Sequence, residues 1–162
     1  MQCEGCAHRP TLYRQGYELI APERLLTEEI GRGIMRVRRL ILTEAGRRLE
    51  RQGTSVLAWQ ALNYLDRNGP VPQGVLAEGI GQHAPGISRL MDELAGERLI
   101  RRGRDRHDRR RVLVALGRRG KARLEAGRPL VEAAVEQVLA PLDGSGRRAL
   151  RNLLWRMLPQ NS

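Results

Sequence analysis

The chain has 162 residues, 41% hydrophobic and 29% charged, which suits one globular domain, with or without an appended arm, and excludes wholesale disorder. Only 3% are aromatic and phenylalanine is absent, so the core must be built from Leu, Ile, Val, Ala and Met, the palette of packed helices. A formal net charge of +11, carried by arginine except for Lys121, points to a polyanionic partner; no run of about 18 apolar residues exists, which argues against a membrane span.

Residues 1–17 read as an irregular arm, with Gly5, Pro10 and Gly16 and no periodicity. Within it "CEGCAH" brings Cys3, Cys6 and His8 together as redox or metal candidates. A structural zinc site wants four ligands, and only three lie nearby. The order is also not the Cys-x-x-Cys-His of haem attachment. An incidental exposed pair, a thiol switch and a metal site completed by a second protomer all stay open, and no metal or cofactor is assigned. Two cysteines so close make no disulfide framework, and the N-terminus lacks the apolar core of a secretory signal. Cytoplasmic residence is therefore expected.

From about Pro22 to Gln52, Leu26, Ile30, Ile34, Val37, Ile41, Ala45 and Leu49 recur every three to four residues. That spacing predicts one long amphipathic helix, with a possible break near Gly31 and Gly33. Gly53-Thr54 ends it, Ser55 can cap the helix that follows, and Asn68-Gly69-Pro70 stops that one. Next come a short helix near 73–80, a turn through Gly81–His83, and a helix beginning near Ala84 or Pro85. The last of these puts Ile87, Leu90, Met91 and Leu94 on one face and Gly86, Ser88, Arg89, Asp92 and Glu93 toward the other. Two short helices around a Gly-containing turn form a helix-turn-helix candidate.

Immediately after it stands "RRGRDRHDRRR", Arg101 to Arg111, seven arginines and two aspartates in eleven residues. It is bracketed by Leu99-Ile100 and by "VLVALG", 112–117, so apolar run, charged tip and apolar run predict a two-stranded hairpin with the arginines at its tip. A winged helix-turn-helix results. Arg101, Arg102, Arg104, Arg106 and Arg109 would contact phosphates, adding affinity but little sequence information. A helix follows from about Arg118 to Leu139, with Pro129 expected to kink it. After "DGSG" the last helix carries Leu150, Leu153, Leu154, Met157 and Leu158 as a stripe.

The span from "TSVLAWQALNYLDRNGP" through "APGISRLMDELAGERLIRR" and "DRHDRRRVLVAL" resembles the MarR family of bacterial transcription regulators over roughly residues 54–125. The resemblance implies that Asp108 and Arg110 take the wing roles, Arg110 entering the minor groove while Asp108 holds an arginine in position. It implies that "GISRLMDEL" is the recognition helix, with Ser88 and Arg89 facing the major groove of a double-stranded DNA operator. Members are homodimers whose terminal helices interdigitate, typically repressors released by small phenols, other amphipathic molecules or oxidants. Pro72 and Val75 stand where the family usually has a cap and its Glu-Leu-Ala helix, Arg98 where it has Gly, and Gly117 where it has Thr. The implied fold class is mainly α: a winged helix-turn-helix over 54–117, a two-stranded wing, and a helical dimerisation region from 18–53 and 118–160.

Trp59, Tyr64, Tyr13 and Tyr17 are candidates for an effector pocket, although aromatics at helical spacing more often belong to a core. No nucleophile–base pair, Walker loop or dinucleotide glycine fingerprint is visible, so no enzymatic activity is expected. Two other readings remain open: a sequence-nonspecific basic protein for DNA or RNA, and a thiol or metal enzyme built on the N-terminal cysteines.

Overall fold

The computed structural model describes residues 22–105, 108 and 110–158, with 22, 23 and 84–86 described by their backbone. The arm candidates Cys3, Cys6, His8, Tyr13 and Tyr17 lie outside these residues, as do Arg106 and Arg109. In order, the elements are α1 (Pro22–Glu50), α2 (Val56–Asn68), β1 (Val71–Pro72), α3 (Gln73–Gly79), α4 (Ala84–Gly96), β2 (Ile100–Arg104), β3 (Val112–Leu116), α5 (Arg118–Leu139) and α6 (Gly144–Met157). The chain divides into two compact units, 1–38 and 39–162, and α1 runs from the first into the second.

In the first unit the described residues are the opening turns of α1. Its apolar positions Leu26, Ile30, Ile34 and Val37 are exposed there. The helix is not interrupted at Gly31 or Gly33, contrary to the expected break. Single glycines cost a helix about 1 kcal/mol each, which an amphipathic helix of 29 residues can absorb.

The second unit holds the core. Ala58, Ala61, Leu62 and Leu65 of α2 pack with Leu76 and Ala77 of α3, Ile87, Met91 and Leu94 of α4, and Leu99, Ile100, Val114 and Leu124. The fully buried set is aliphatic, as the composition requires; Trp59 and Tyr64 pack against it from partly buried positions. Ser55 starts α2 by accepting the Ala58 N–H at 3.1 Å, and Asp143 starts α6 by accepting the Gly146 N–H at 2.7 Å. α5 passes through Pro129 without ending.

The sheet has three strands in the order β1-β3-β2, all antiparallel, not the two predicted. The added strand is only Val71–Pro72, pairing Val71 with Val114 and Pro72 with Leu113. Two residues are too few for a periodicity to register, and an edge strand tolerates a proline that cannot donate. β2 also runs further than expected. Arg101, Arg102 and Arg104 lie within the strand, paired across to Ala115, Val114 and Val112, so they follow the wing rather than crowd its tip.

α2 and α5 are joined by an ionic cluster. Asp66 accepts from Lys121 at 2.7 Å and Arg128 at 2.8 Å, while Glu125 meets Lys121 at 3.1 Å and Arg128 at 2.9 Å. The hydrogen bond from Lys121, followed by the nearby charges of Lys121 and Arg128, holds the Asp66 carboxyl below its ordinary range. Arg123 of α5 reaches the Gly53 carbonyl and the buried Thr54 hydroxyl, both at 3.2 Å, and Glu97 at 3.7 Å. One side chain thus holds the α1–α2 turn and the end of α4.

Candidate nucleic-acid interface

The apolar stripe of α4 decides which of its residues face outward. Ile87, Met91 and Leu94 are buried, which leaves Ser88, Arg89, Asp92 and Glu93 exposed on the opposite side. The tight entry to α4 uses Gly81 at φ +68°, a left-handed conformation that glycine adopts without strain. Gly86 lies in the first turn of α4, and His83 precedes the helix without a side-chain cap. Arg89 folds along its own helix to Glu93 at 3.1 Å, and at 91% side-chain exposure it is free to leave that partner for a base edge. Ser88 accepts a hydrogen bond from Gln73 Nε2 at 3.1 Å, so the first residue of α3 orients the hydroxyl.

β2 leaves α4 through Leu99 and returns alongside it. Arg102 of β2 meets Asp92 of α4 at 2.7 Å, a bond between strand and helix. An exposed ion pair adds little stability, but it links β2 to the polar face of α4. At the tip, Asp108 Oδ1 accepts the backbone N–H of Arg110 at 3.0 Å, and the Asp108 carbonyl accepts the Arg111 N–H at 2.9 Å. Asp105 N–H closes the loop on the Arg111 carbonyl at 3.0 Å. Asp108 therefore shapes the turn that presents Arg110 through the backbone, and both side chains are exposed. Along the edge strand runs a groove of about 390 Å³ lined by Pro70, Arg101, Arg102, Arg104, Asp105 and Leu113, among others.

These observations bring Ser88, Arg89, Arg104, Asp108 and Arg110 onto exposed parts of α4 and the wing. Of the proposed pocket aromatics, the two described ones, Trp59 and Tyr64, are not brought together. Trp59 packs over Gly127 of α5 and donates its indole N–H to the Leu124 carbonyl at 3.4 Å, whereas the Tyr64 ring lies against Gly79 of α3. Five residues apart on one helix, the two rings do not share a face. Sequence reasoning missed Gln73, Asp92 as a partner for Arg102, and Arg123. The first two were legible only as polar residues on a helix. Their pairing across elements had no signal in the chain order.

The sequence profile of the MarR family matches residues 52–111. A probable transcriptional regulator from Pseudomonas aeruginosa is 32% identical over 82% of this chain and 99% of its own, with a TM-score of 0.67. A mutant MarR from E. coli, complexed with operator DNA, superposes with a TM-score of 0.70 at 21% identity, over 83% of this chain and 96% of its own. CouR from Rhodococcus jostii RHA1, bound to p-coumaroyl-CoA, gives 0.68 at 24% identity, over 85% and 97%. CouR has also been solved as a transcriptional repressor on a 23-mer DNA duplex. No curated protein matches the sequence.

Proposed function

The chain belongs to the MarR family, and from that premise we propose that it is a homodimeric, sequence-specific regulator of transcription that reads duplex DNA with α4 and the β2–β3 wing. The observation that carries this reading is the wing held to the recognition helix by Arg102 and Asp92, with the polar face of α4 exposed beside it. In this arrangement α4 enters the major groove. There Arg89 can bridge guanine O6 and N7, and Ser88, held by Gln73, contacts a neighbouring base or phosphate. Arg110 enters the minor groove, whose narrow A·T-rich form concentrates negative potential. Arg101, Arg104, Arg106 and Arg109 bind phosphates, and each neutralised phosphate contributes roughly −0.9 to the slope of log K against log salt.

The homodimer is supported by apolar side chains that neither end of the chain buries. Leu26, Ile30 and Ile34 of α1 are exposed, and so are Leu153, Trp155 and Met157 of α6. A second copy would cover each stripe, and its symmetry would space the half-sites near one helical turn, about 10 base pairs. Repression with release by a small phenolic or amphipathic effector is supported by CouR, solved once on DNA and once with p-coumaroyl-CoA; release by an oxidant is the alternative trigger of the same proposal. Among the described residues no helix is long and apolar enough to cross a membrane.

Selection of fragments bound from sheared genomic DNA, at near-physiological salt with excess unrelated competitor, tests the proposal. An inverted repeat should be recovered. Arg110→Ala should then weaken binding to it by about 1–3 kcal/mol, measured by fluorescence anisotropy. Featureless recovery from folded, dimeric protein would leave a nonspecific DNA- or RNA-binding protein in its place.

A further inference from the structure

On the wing, away from its tip, lies a groove of about 680 Å³ whose lining is charged with one sign. Arg98, Arg101, Arg102, Arg118 and Arg119 line it, with Gly117 at the start of α5. No carboxylate among the described residues lines it. Asp92 pairs with Arg102, one of these five, and Glu97 pairs with Arg123, which does not line the groove. Among the described residues no ion pair is made by Arg98, Arg101, Arg118 or Arg119.

The backbone adds to the same potential. α5 begins at Arg118 with Gly117 as its cap residue, so no side-chain oxygen receives the first N–H groups. Those groups have no intrahelical acceptor, and the helix terminus carries partial positive charge. Arginines in a first turn are unfavourable for the same reason, and the first turn of α5 has no acidic residue to offset them. Gly117 and Gly120 keep this terminus close. Gly117 donates to the Leu99 carbonyl at 2.8 Å, and a Cβ on Gly120 would collide with that same oxygen.

We propose that this groove is a binding site for phosphate groups, sharing Arg101 and Arg102 with the wing and extending past it to Arg98, Arg118 and Arg119. Four arginines outnumber what one carboxylate can neutralise. A phosphate monoester carries about −1.5 to −2, so two or more linked phosphates match the lining. Planar guanidiniums bind phosphate oxygens in pairs, and the volume falls within the range of small-molecule sites. Such phosphates can come from a free di- or triphosphate compound or from duplex flanking a bound operator. Only the second source rests on the DNA-reading proposal.

The test titrates the full-length protein with inorganic pyrophosphate by calorimetry at constant ionic strength, with sulfate as the control. Saturable binding tighter than sulfate is expected. The Arg118→Gln/Arg119→Gln variant should weaken it about tenfold or more, while Arg110→Ala leaves it intact. If the double variant melts early, Arg98→Gln provides the same readout from outside α5. A second arm compares the selected operator as a minimal core and with native flanks. Loss of pyrophosphate binding in the variant assigns the site to a free ligand. Loss of only the flank's extra affinity assigns it to the duplex. Pyrophosphate bound no better than sulfate, together with unchanged flank affinity, would overturn the proposal. Failure of the wild-type protein to bind any operator core would instead sink the DNA-reading proposal and leave the pyrophosphate arm standing.

Discussion

At Arg98 the backbone takes a φ of +60°, the one non-glycine residue described in the left-handed region. That conformation costs an L-residue about 1–2 kcal/mol. Arg98→Gly should therefore raise stability by about 0.5–1 kcal/mol, after glycine's extra chain entropy is subtracted, as read from the urea midpoint. The sequence shows only an arginine before the first wing strand, and the dihedral shows that a glycine would suit the position better. Gly120 presents the opposite case. Its Cβ would occupy the space of the Leu99 carbonyl oxygen, which is backbone and cannot rotate aside. Gly120→Ala should cost about 3 kcal/mol, the upper end for overpacking, and denaturation would measure it.

Elements and their ends were the most legible level. Ser55 before an apolar run announces the start of α2, and the bond to Ala58 is the cap that the spacing implies. The wing was legible as two apolar runs, but its length was not, because an arginine-rich strand has no apolar alternation. The ionic cluster between α2 and α5 had no sequence signature, since Asp66 and Lys121 are far apart in the chain. Its pH dependence follows from the depressed Asp66 pKa. A group held below its ordinary 3.8 stabilises the fold in full above that value and loses the contribution as pH falls through the folded-state value. The difference in Tm between the protein and Asp66→Asn should thus be widest near neutral pH and close below about pH 4. A constant difference between pH 7 and pH 2.5 would show that Asp66 contributes packing only.

For the whole molecule, the unburied stripes matter most. Leu153, Trp155, Met157 and Leu158 are each more than half exposed, as are Leu26 and Met35 of α1. A monomer rarely leaves such stripes in water, and a second copy would remove them from it. Leu153→Arg/Leu154→Arg should shift the protein to monomer in sedimentation velocity. Operator affinity should fall about 100-fold or more, because two linked reading heads lose their mutual effective concentration. A variant that stays dimeric with full affinity would mean that α6 lies outside the interface.

What the sequence by itself determined is the order and type of the longer elements and the chemistry they display. Apolar spacing marks helices and strands from local residues alone, and an arginine-rich segment between two strands announces an anionic partner wherever the chain goes. The tertiary structure decided which groups meet. Arg102 faces Asp92, Ser88 is held by Gln73, Trp59 packs on α5 instead of joining Tyr64, and a third strand of two residues completes the sheet. It also gathered five arginines from the α4–β2 turn, β2 and the first turn of α5 around one groove. Such meetings depend on how elements pack across long stretches of chain, and periodicity carries no information about them.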